Sequence, residues 1–171
     1  MHDFNIGWYV IYTKSRHEKK VAQQLGGMEL QYFLPTTRIL RIWPTKKKYV
    51  QTPLFPSYVF VRLEKLQHYF DSLQIPGVLY FVKIGNQVAS IKETIIHKLQ
   101  AIISNKLDDI EVLSEHFNPG TTMNIHAGPF KGFSCEVIEH RGRNKILVRI
   151  ELLQRNILVD MPSYCLEVNA I

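Results

Sequence analysis

The segment Ser57–Leu63 restricts the fold most, because it has the composition of a β-strand and is apolar on both faces. Aliphatic and aromatic side chains alternate along it, so the two sets point to opposite sides of a sheet. The aliphatic set is Val59, Val61 and Leu63; the aromatic set is Tyr58 and Phe60, with Phe55 and Pro56 just before them. One face can pack on helices, and the aromatic face then needs a cover from this chain or from another molecule.

The surrounding pattern predicts an α+β domain with an antiparallel sheet flanked by helices over residues 1–105. Strands are predicted at Trp8–Lys14, at Tyr32–Trp43, at Tyr49–Leu63 and up to about Ile84. Helices are predicted at His17–Leu25, around Leu66–Leu73 and along Ile91–Ile102. Ser15 with Glu18, and Ser90 with Glu93, have the spacing of capping boxes at helix starts.

The pattern changes near Asn105 and predicts a second domain. Residues 106–118 are acidic with little periodicity, and we interpret them as a linker. Five short strands with turn signals follow within 119–171, and Gly142 lies at the centre of a hairpin turn in HRGRN. This part of the sequence predicts a small five-stranded β-barrel, since closure removes exposed strand edges.

Composition narrows the possible functions. The chain of 171 residues carries 21 Lys and Arg against 15 Asp and Glu, a formal charge of +6, which favours an anionic partner such as nucleic acid or serves solubility. No signal peptide and no run of roughly 20 apolar residues is evident, so we expect a cytoplasmic protein. Cys135 and Cys165 are expected to be reduced thiols, and no catalytic motif or metal-ligand spacing occurs.

Two basic segments are candidates for contact with nucleic acid. His17, Lys20 and Gln24 fall on one stripe of the first helix, with Lys14 at the strand end beside it. Lys46, Lys47 and Lys48 form the tip of the predicted hairpin, and Arg38 and Arg41 lie on the strand before it. Each group is either a solvated face or a surface that contacts DNA phosphates.

Four segments in this order resemble the NusG family of transcription elongation factors. They are WYVIYTKSRHEKKVAQQL, TPLFPSYVFVRL, IPGVLYFV and GPFKGFSCEVIEH. The phrase LFPSYVFV is closer to the specialised RfaH-like antiterminators of polysaccharide operons than to the housekeeping factor. The GPFKG stretch at Gly128–Gly132 resembles the KOW motif, in which the glycines permit a tight turn.

The resemblance implies a function in binding and not in catalysis. Residues 1–105 would be a NusG N-terminal-like domain that binds the RNA polymerase clamp and suppresses pausing and termination. The polymerase-binding residues carried over are Phe55, Pro56, Tyr58 and Phe60. Lys14, His17, Lys20 and Gln24 would contact non-template or upstream DNA.

The resemblance also implies that the KOW barrel, residues 119–171, recruits a small-subunit ribosomal protein or a termination factor. Phe130 and Phe133 are either contacts for that partner or core residues. We expect a monomer that needs no metal and no cofactor. In RfaH-like relatives this domain can also fold as a helical hairpin, but the β-branched residues of KILVRIELL and RNILVDM favour strands and predict no stable switch.

Two other interpretations stay open from the sequence. A ribosome-associated RNA-binding protein with a KOW barrel is the alternative function. The alternative for the aromatic strand face is that this chain covers it internally, as in a three-layer sandwich.

Overall fold

The computed structural model of the chain describes residues 5–105, 110–116 and 118–160. The chain divides between Glu93 and Thr94 into two compact units. The third helix therefore opens the second unit. The predicted domain limits, 1–105 and 119–171, stay a prediction.

The first unit is built on an antiparallel sheet. Its elements are β1 (Gly7–Thr13), α1 (Glu18–Gly27), β2 (Tyr32–Phe33), β3 (Thr36–Trp43), β4 (Lys46–Pro53), β5 (Tyr58–Leu63), α2 (Leu66–Leu73), β6 (Val78–Phe81), β7 (Lys83–Ile84), β8 (Gln87–Val88) and β9 (Ser90–Ile91). The sheet has the order β2-β5-β1-β6, and β9 also pairs with β1. All these pairs are antiparallel, which confirms the predicted class of fold.

The aliphatic face of the sheet packs on helices, as the alternation in Ser57–Leu63 predicts. The cluster comprises Tyr9, Ile11, Val59, Val61, Leu63 and Phe81 from the sheet, Val21, Ala22 and Leu25 from α1, and the partly buried Tyr69 and Leu73 from α2. Burying each large aliphatic side chain stabilises the fold by about 1.5–3 kcal/mol. This face is the hydrophobic centre of the first unit.

The capping boxes predicted for two helices are wrong. α1 begins at Glu18 with His17 at the cap position, and no side chain caps it. The Glu18 carboxylate instead accepts a hydrogen bond from the backbone N–H of Ser57. Ser90 lies in β9, paired with Tyr9, so it cannot cap a helix that begins at Glu93. In both cases a contact distant in sequence replaces the local one.

The segment Tyr32–Leu63 contains a long hairpin, as predicted, but with breaks. β3 and β4 pair from Thr36↔Pro53 to Trp43↔Lys46 around a two-residue turn. This pair forms a sheet of its own among the strands that the structure describes. At its base, Leu54 N–H donates to Pro35 O at 2.8 Å, and Lys19 Nζ donates to Gln51 O at 2.8 Å. The hairpin is thus anchored at one end and extends from the main sheet.

The second unit is a helix and a five-stranded antiparallel sheet. Its elements are α3 (Glu93–Ser104), β10 (Glu111–Leu113), β11 (Thr121–Asn124), a 3-10 turn at Gly128–Phe130, β12 (Ser134–His140), β13 (Arg143–Ile150), a 3-10 turn at Glu151–Leu153 and β14 (Arg155–Asp160). The strand order is β10-β14-β13-β12-β11. The turn at Arg141–Gly142 joins β12 and β13, as predicted for HRGRN.

Two details of the second unit differ from the sequence interpretation. Within the predicted linker 106–118, Glu111–Leu113 form β10 and pair with β14. The predicted strand YCLEV, with Cys165, lies outside the described residues, so closure into a barrel stays a prediction. KILVRIELL and RNILVDM form strands up to Asp160 apart from the 3-10 turn, as their β-branched residues predict.

A buried lysine attaches the edge strand β10 to the rest of this sheet. Lys145 on β13 is almost fully buried. Its Nζ pairs with Glu111 of β10 and, at 3.0 Å, with Asp160 of β14. The hydrogen bond from Lys145 holds the pKa of both carboxyl groups below their ordinary values. The same partners raise the pKa of Lys145, with Glu111 as the largest cause.

Replacing Lys145 by methionine should destabilise the protein by about 1–3 kcal/mol at neutral pH, because two partly buried carboxylates lose their buried donor and keep only the exposed Arg141 and Arg143. Both carboxyl pKa values are lowered in the folded state. Their contribution is therefore present above the ordinary values of 4.5 and 3.8 and disappears as the pH falls through the lowered ones. Thermal unfolding of the full chain across pH should show the difference in Tm between wild type and Lys145→Met shrinking in acid.

The matched control is Arg143→Gln, which removes a mostly exposed partner of Asp160. It should cost about 1 kcal/mol or less, since exposed ion pairs are weak. A Lys145→Met variant as stable as wild type at neutral pH would show that the buried lysine does not hold the edge strand.

Candidate functional site

The face of the sheet opposite the helices carries the aromatic residues. Register places Val10 beside Phe60 and Tyr12 beside Tyr58, so these four side chains point to the same side. Tyr80 of β6 lies beside Tyr12 on the other edge of β1. We call this side the aromatic face.

Three tyrosines form a contiguous group at one end of the aromatic face. The rings of Tyr12 and Tyr80 are stacked with centroids 5.0 Å apart, and Tyr58 meets Tyr12 edge-on at 5.2 Å. Tyr80 is 50% exposed, while Tyr12 and Tyr58 are half-buried. This tyrosine cluster (Tyr12, Tyr58 and Tyr80) offers large ring surface with polar hydroxyl tips, a composition suited to protein interfaces.

The four residues predicted to bind polymerase differ in exposure. Pro56 is exposed and Tyr58 is half-buried, but Phe55 and Phe60 are only 2% and 0% exposed. The expectation that all of these rings face solvent is wrong for the two phenylalanines. Phe60 lies on the central strand β5, and the rings of Phe33 and Phe55 each approach it with centroids 6.0 Å apart. The exposed ring surface of the aromatic face is therefore centred on the tyrosine cluster, and Pro56 is exposed two residues before Tyr58.

The loop between β4 and β5, residues 54–57, is fixed by hydrogen bonds on both sides of Ser57. Ser57 N–H donates to Glu18 Oε1 at 2.7 Å, and Ser57 O accepts from Thr13 N–H at 2.8 Å. Ser57 has a φ of 68°, in the left-handed region that non-glycine residues rarely adopt. Glu18 itself is 5% exposed. A buried carboxylate thus holds the loop that presents Pro56 beside Tyr58.

The predicted DNA stripe is only partly available at the surface. Lys14 and Lys20 are exposed. His17 is partly buried, and its ring lies so near Gly77 that a Cβ there would come within 2.9 Å of His17 Cδ2. Gln24 is also partly buried, and its Oε1 is buried with no hydrogen-bond partner among the described residues. Of the four predicted DNA contacts, Lys14 and Lys20 are therefore the exposed ones, whereas His17 and Gln24 are partly covered.

In the second unit, the predicted partner contacts separate into a core and a surface residue. Phe130 is 3% exposed, whereas Phe133 is half-buried, with ring centroids 6.5 Å apart. Gly128 and Gly132 have φ of 76° and 84°, as the tight turn requires. Phe130 is therefore a core residue, and Phe133 keeps part of its surface exposed.

The described residues were compared with the requirements of a metal site and of a membrane-spanning helix. Residues 5–105, 110–116 and 118–160 contain no group of three or more His, Cys, Asp or Glu side chains able to hold a metal ion. No helix among them is long and apolar enough to cross a bilayer. Cys135 is a buried free thiol, and burial raises its pKa.

A family model described as "Transcription termination factor nusG" matches residues 7–100. This span is more than half of the 171-residue chain. The chain belongs to the NusG family. The tyrosine cluster, Glu18 and the lysines of α1 all lie within the matched span, and Phe130 and Phe133 lie outside it.

Curated relatives match over nearly the full length. This chain is 22% identical to "Transcription termination/antitermination protein NusG" of Borreliella burgdorferi, over 94% of this chain and 97% of the relative. It is 26% identical to the protein of the same name from Pseudomonas aeruginosa, over 90% and 93%. The chain is also similar to a solved structure described as "Domain interaction in Thermotoga maritima NusG", with 21% identity, 91% and 94% coverage and a TM-score of 0.47.

Sequence reasoning missed three residues of this NusG-family site. Tyr12 and Tyr80 lie in segments that the sequence predicts to be strands. Only the pairing of β1 with β5 and β6 brings their side chains together with Tyr58. Strand alternation in WYVIYTK was the available signal for Tyr12. Glu18 has the pattern of a capping residue, and its distant acceptor role left no local signal.

Replacing Glu18 by alanine should destabilise the protein by about 1–3 kcal/mol, because it removes the acceptor of the Ser57 N–H in a mostly buried position. Glu18→Gln keeps a carbonyl oxygen that can accept the hydrogen bond, so it should destabilise the protein less than Glu18→Ala does. Denaturant unfolding measures the stability, and amide hydrogen exchange at Ser57 reports whether the loop has opened. The control is Glu64→Ala, an exposed carboxylate with one surface ion pair. Unchanged exchange at Ser57 in Glu18→Ala would exclude the proposed clamp.

Proposed function

We propose that this NusG-family protein is a cytoplasmic transcription elongation and antitermination factor that binds the clamp of RNA polymerase with its first unit. The single observation that carries the proposal is the tyrosine cluster. Stacked rings at the edge of an otherwise buried sheet face provide the aromatic anchor that protein interfaces favour. Binding there would suppress pausing and termination by holding the clamp in one position.

Rigidity of the neighbouring loop supports this proposal. The bonds of Ser57 to Glu18 and Thr13 fix the loop before binding, so little conformational entropy is lost on docking. Phe55 and Phe60 are buried with their rings against each other, so they belong to the packed interior and are not direct contacts for polymerase. The proposed polymerase-binding residues thus divide into the exposed Pro56 and the half-buried Tyr58, which are accessible, and two buried phenylalanines.

We propose two further contacts for the complete factor. Lys14 and Lys20 bind phosphates of the non-template or upstream DNA, while His17 and Gln24 of the same stripe shape the helix surface. The second unit recruits a partner, a small-subunit ribosomal protein or a termination factor, with Phe133 at its surface. The phrase LFPSYVFV supports a specialised RfaH-like paralogue that acts at particular operons.

The double variant Tyr58→Ala, Tyr80→Ala should weaken binding to core RNA polymerase at least about 30-fold, since truncation of an interface hot spot costs about 2 kcal/mol or more. Fluorescence anisotropy of the labelled protein, titrated with polymerase free of nucleic acid, measures the affinity. Phe60→Ala is unsuitable because removing a buried ring costs about 3–5 kcal/mol of stability.

The matched control for this pair is Tyr32→Ala. Tyr32 is 42% exposed and lies beside Val61, on the opposite side of the same sheet. It should bind polymerase like wild type. If the double variant keeps its fold and its polymerase affinity, the docking proposal is wrong. Retained binding to ribosomal RNA alone would then favour the ribosome-associated alternative.

The variant Lys14→Gln, Lys20→Gln should leave the affinity for core polymerase unchanged and weaken the contact with DNA in an elongation complex. Two phosphate contacts on a single strand correspond to a decrease of about 1.4 in the salt-dependence slope. Crosslinking to non-template DNA across a salt series measures this change. Lys83→Gln, Lys92→Gln, which changes two exposed lysines elsewhere in the first unit, is the control. Equal crosslinking by both variants would exclude a specific contact of Lys14 and Lys20 with DNA.

A further inference from the structure

The β3–β4 hairpin holds nearly all the excess positive charge of the chain. Between Thr36 and Pro53 there are five basic residues and no acidic one. The whole chain has 21 basic and 15 acidic residues, so the remainder, with 16 and 15, is close to neutral. The charge that suggests an anionic partner is therefore concentrated on one element.

In the part of the chain that the structure describes, the middle of the hairpin is exposed on both faces. Every residue from Arg38 to Tyr49 is exposed, including Ile42 at 67% and Tyr49 at 58%. Each strand has eight residues, so the ribbon is about 27 Å long. A two-stranded hairpin is marginal in water without a further layer, and this one presents apolar and basic side chains together. These features indicate a surface that a charged partner covers.

Cross-strand register distributes the basic residues over both faces of the ribbon. Paired residues point to the same side, and successive pairs alternate. One face carries the pairs Arg38–Gln51, Leu40–Tyr49 and Ile42–Lys47, and the other carries Ile39–Val50, Arg41–Lys48 and Trp43–Lys46. Each face thus combines cations with apolar side chains.

The aromatic rings of the hairpin are already engaged by cations of the same face. The Arg38 guanidinium lies 4.8 Å from the centroid of the Tyr49 ring, and Lys46 Nζ lies 6.0 Å from that of Trp43. Cation–π contacts of this kind hold the charged group near the ring. Each ring thus has a cation of the same ribbon near one of its faces.

We propose that the β3–β4 hairpin is an arm that binds duplex DNA by entering a groove. A single strand has one line of phosphates, which could pair with the cations of only one face of the ribbon. A groove of a duplex has phosphates along both walls, which could pair with the cations of both faces. The major groove of B-DNA, about 12 Å wide, admits a two-stranded β-ribbon. Its floor accommodates apolar contacts such as thymine methyl groups, which suits Leu40 and Ile42 on one face of the ribbon. The contacts are mainly to the backbone, so sequence preference is weak.

This arm is independent of polymerase docking, so it can be tested with the full chain and no polymerase. The probe is a short, fluorescently labelled DNA duplex of mixed sequence, measured by anisotropy from about 50 mM to 200 mM salt. The variant Lys46→Gln, Lys47→Gln, Lys48→Gln should bind at least about tenfold more weakly at the lowest salt, with the slope reduced by about 2.7 for three lost contacts. The variant with arginine at these three positions should bind like wild type.

The matched control neutralises three exposed lysines elsewhere in the first unit, Lys65, Lys83 and Lys92. It removes the same net charge and should keep most of the affinity and the slope. An equal loss in both glutamine variants would overturn the proposal, because net charge alone would then explain binding. Duplex affinity unaffected by the hairpin substitutions would also overturn it.

Two further binding measurements test insertion into the groove. Single-stranded DNA of the same sequence should bind more weakly than the duplex, and so should duplex RNA, whose major groove is deep and narrow. Tighter binding of the single strand, or equal binding of duplex RNA, would overturn groove insertion. Thermal unfolding of every variant, all changed at exposed positions, checks that the fold is retained.

Discussion

The antiparallel pairing of β1 with β5 is the interaction on which the first unit depends. The two strands lie at the centre of the sheet, and the register sends Tyr9, Ile11, Val59 and Val61 to the helices. The same register necessarily turns Tyr12, Tyr58 and Phe60 to the other side. A slip by one residue would exchange the two sets and expose the aliphatic core. The stability of the core and the position of the tyrosine cluster are therefore one constraint.

Glu18 links helix α1 to the loop that contains Pro56 and directly precedes Tyr58 of β5. Its carboxylate is buried at the first turn of α1 and accepts the N–H of Ser57, which is 39 residues away in sequence. A buried acceptor of this kind fixes the loop before β5 and sets the direction of Pro56 and Tyr58. The helix start gives up local capping for this contact. One hydrogen bond thus joins helix α1, whose exposed Lys20 we propose as a DNA contact, to the loop before Tyr58.

The two units use charge in different ways. In the second unit, Lys145 and Arg149 are paired with carboxylates, and their hydrogen bonds fix strands to one another. In the hairpin of the first unit, five cations have no acidic residue beside them in sequence, and two of them lie over aromatic rings. Paired and buried charges contribute to the fold, whereas exposed cations that share one ribbon are available to the anionic partner that we propose.

The sequence by itself determined the strands, their alternation, the long hairpin and the order of segments that identifies the NusG family. These features follow from local composition and period, which act within a few residues. Only the tertiary structure decided which aromatic side chains stay accessible. Alternation assigns Phe60 and Tyr58 to one face of the sheet, but it does not determine which of the two is buried by other residues. The role of Glu18 and the burial of Gln24 were likewise decided by tertiary structure, because a side chain bonds to whichever group the fold brings near, and sequence spacing cannot supply that distance.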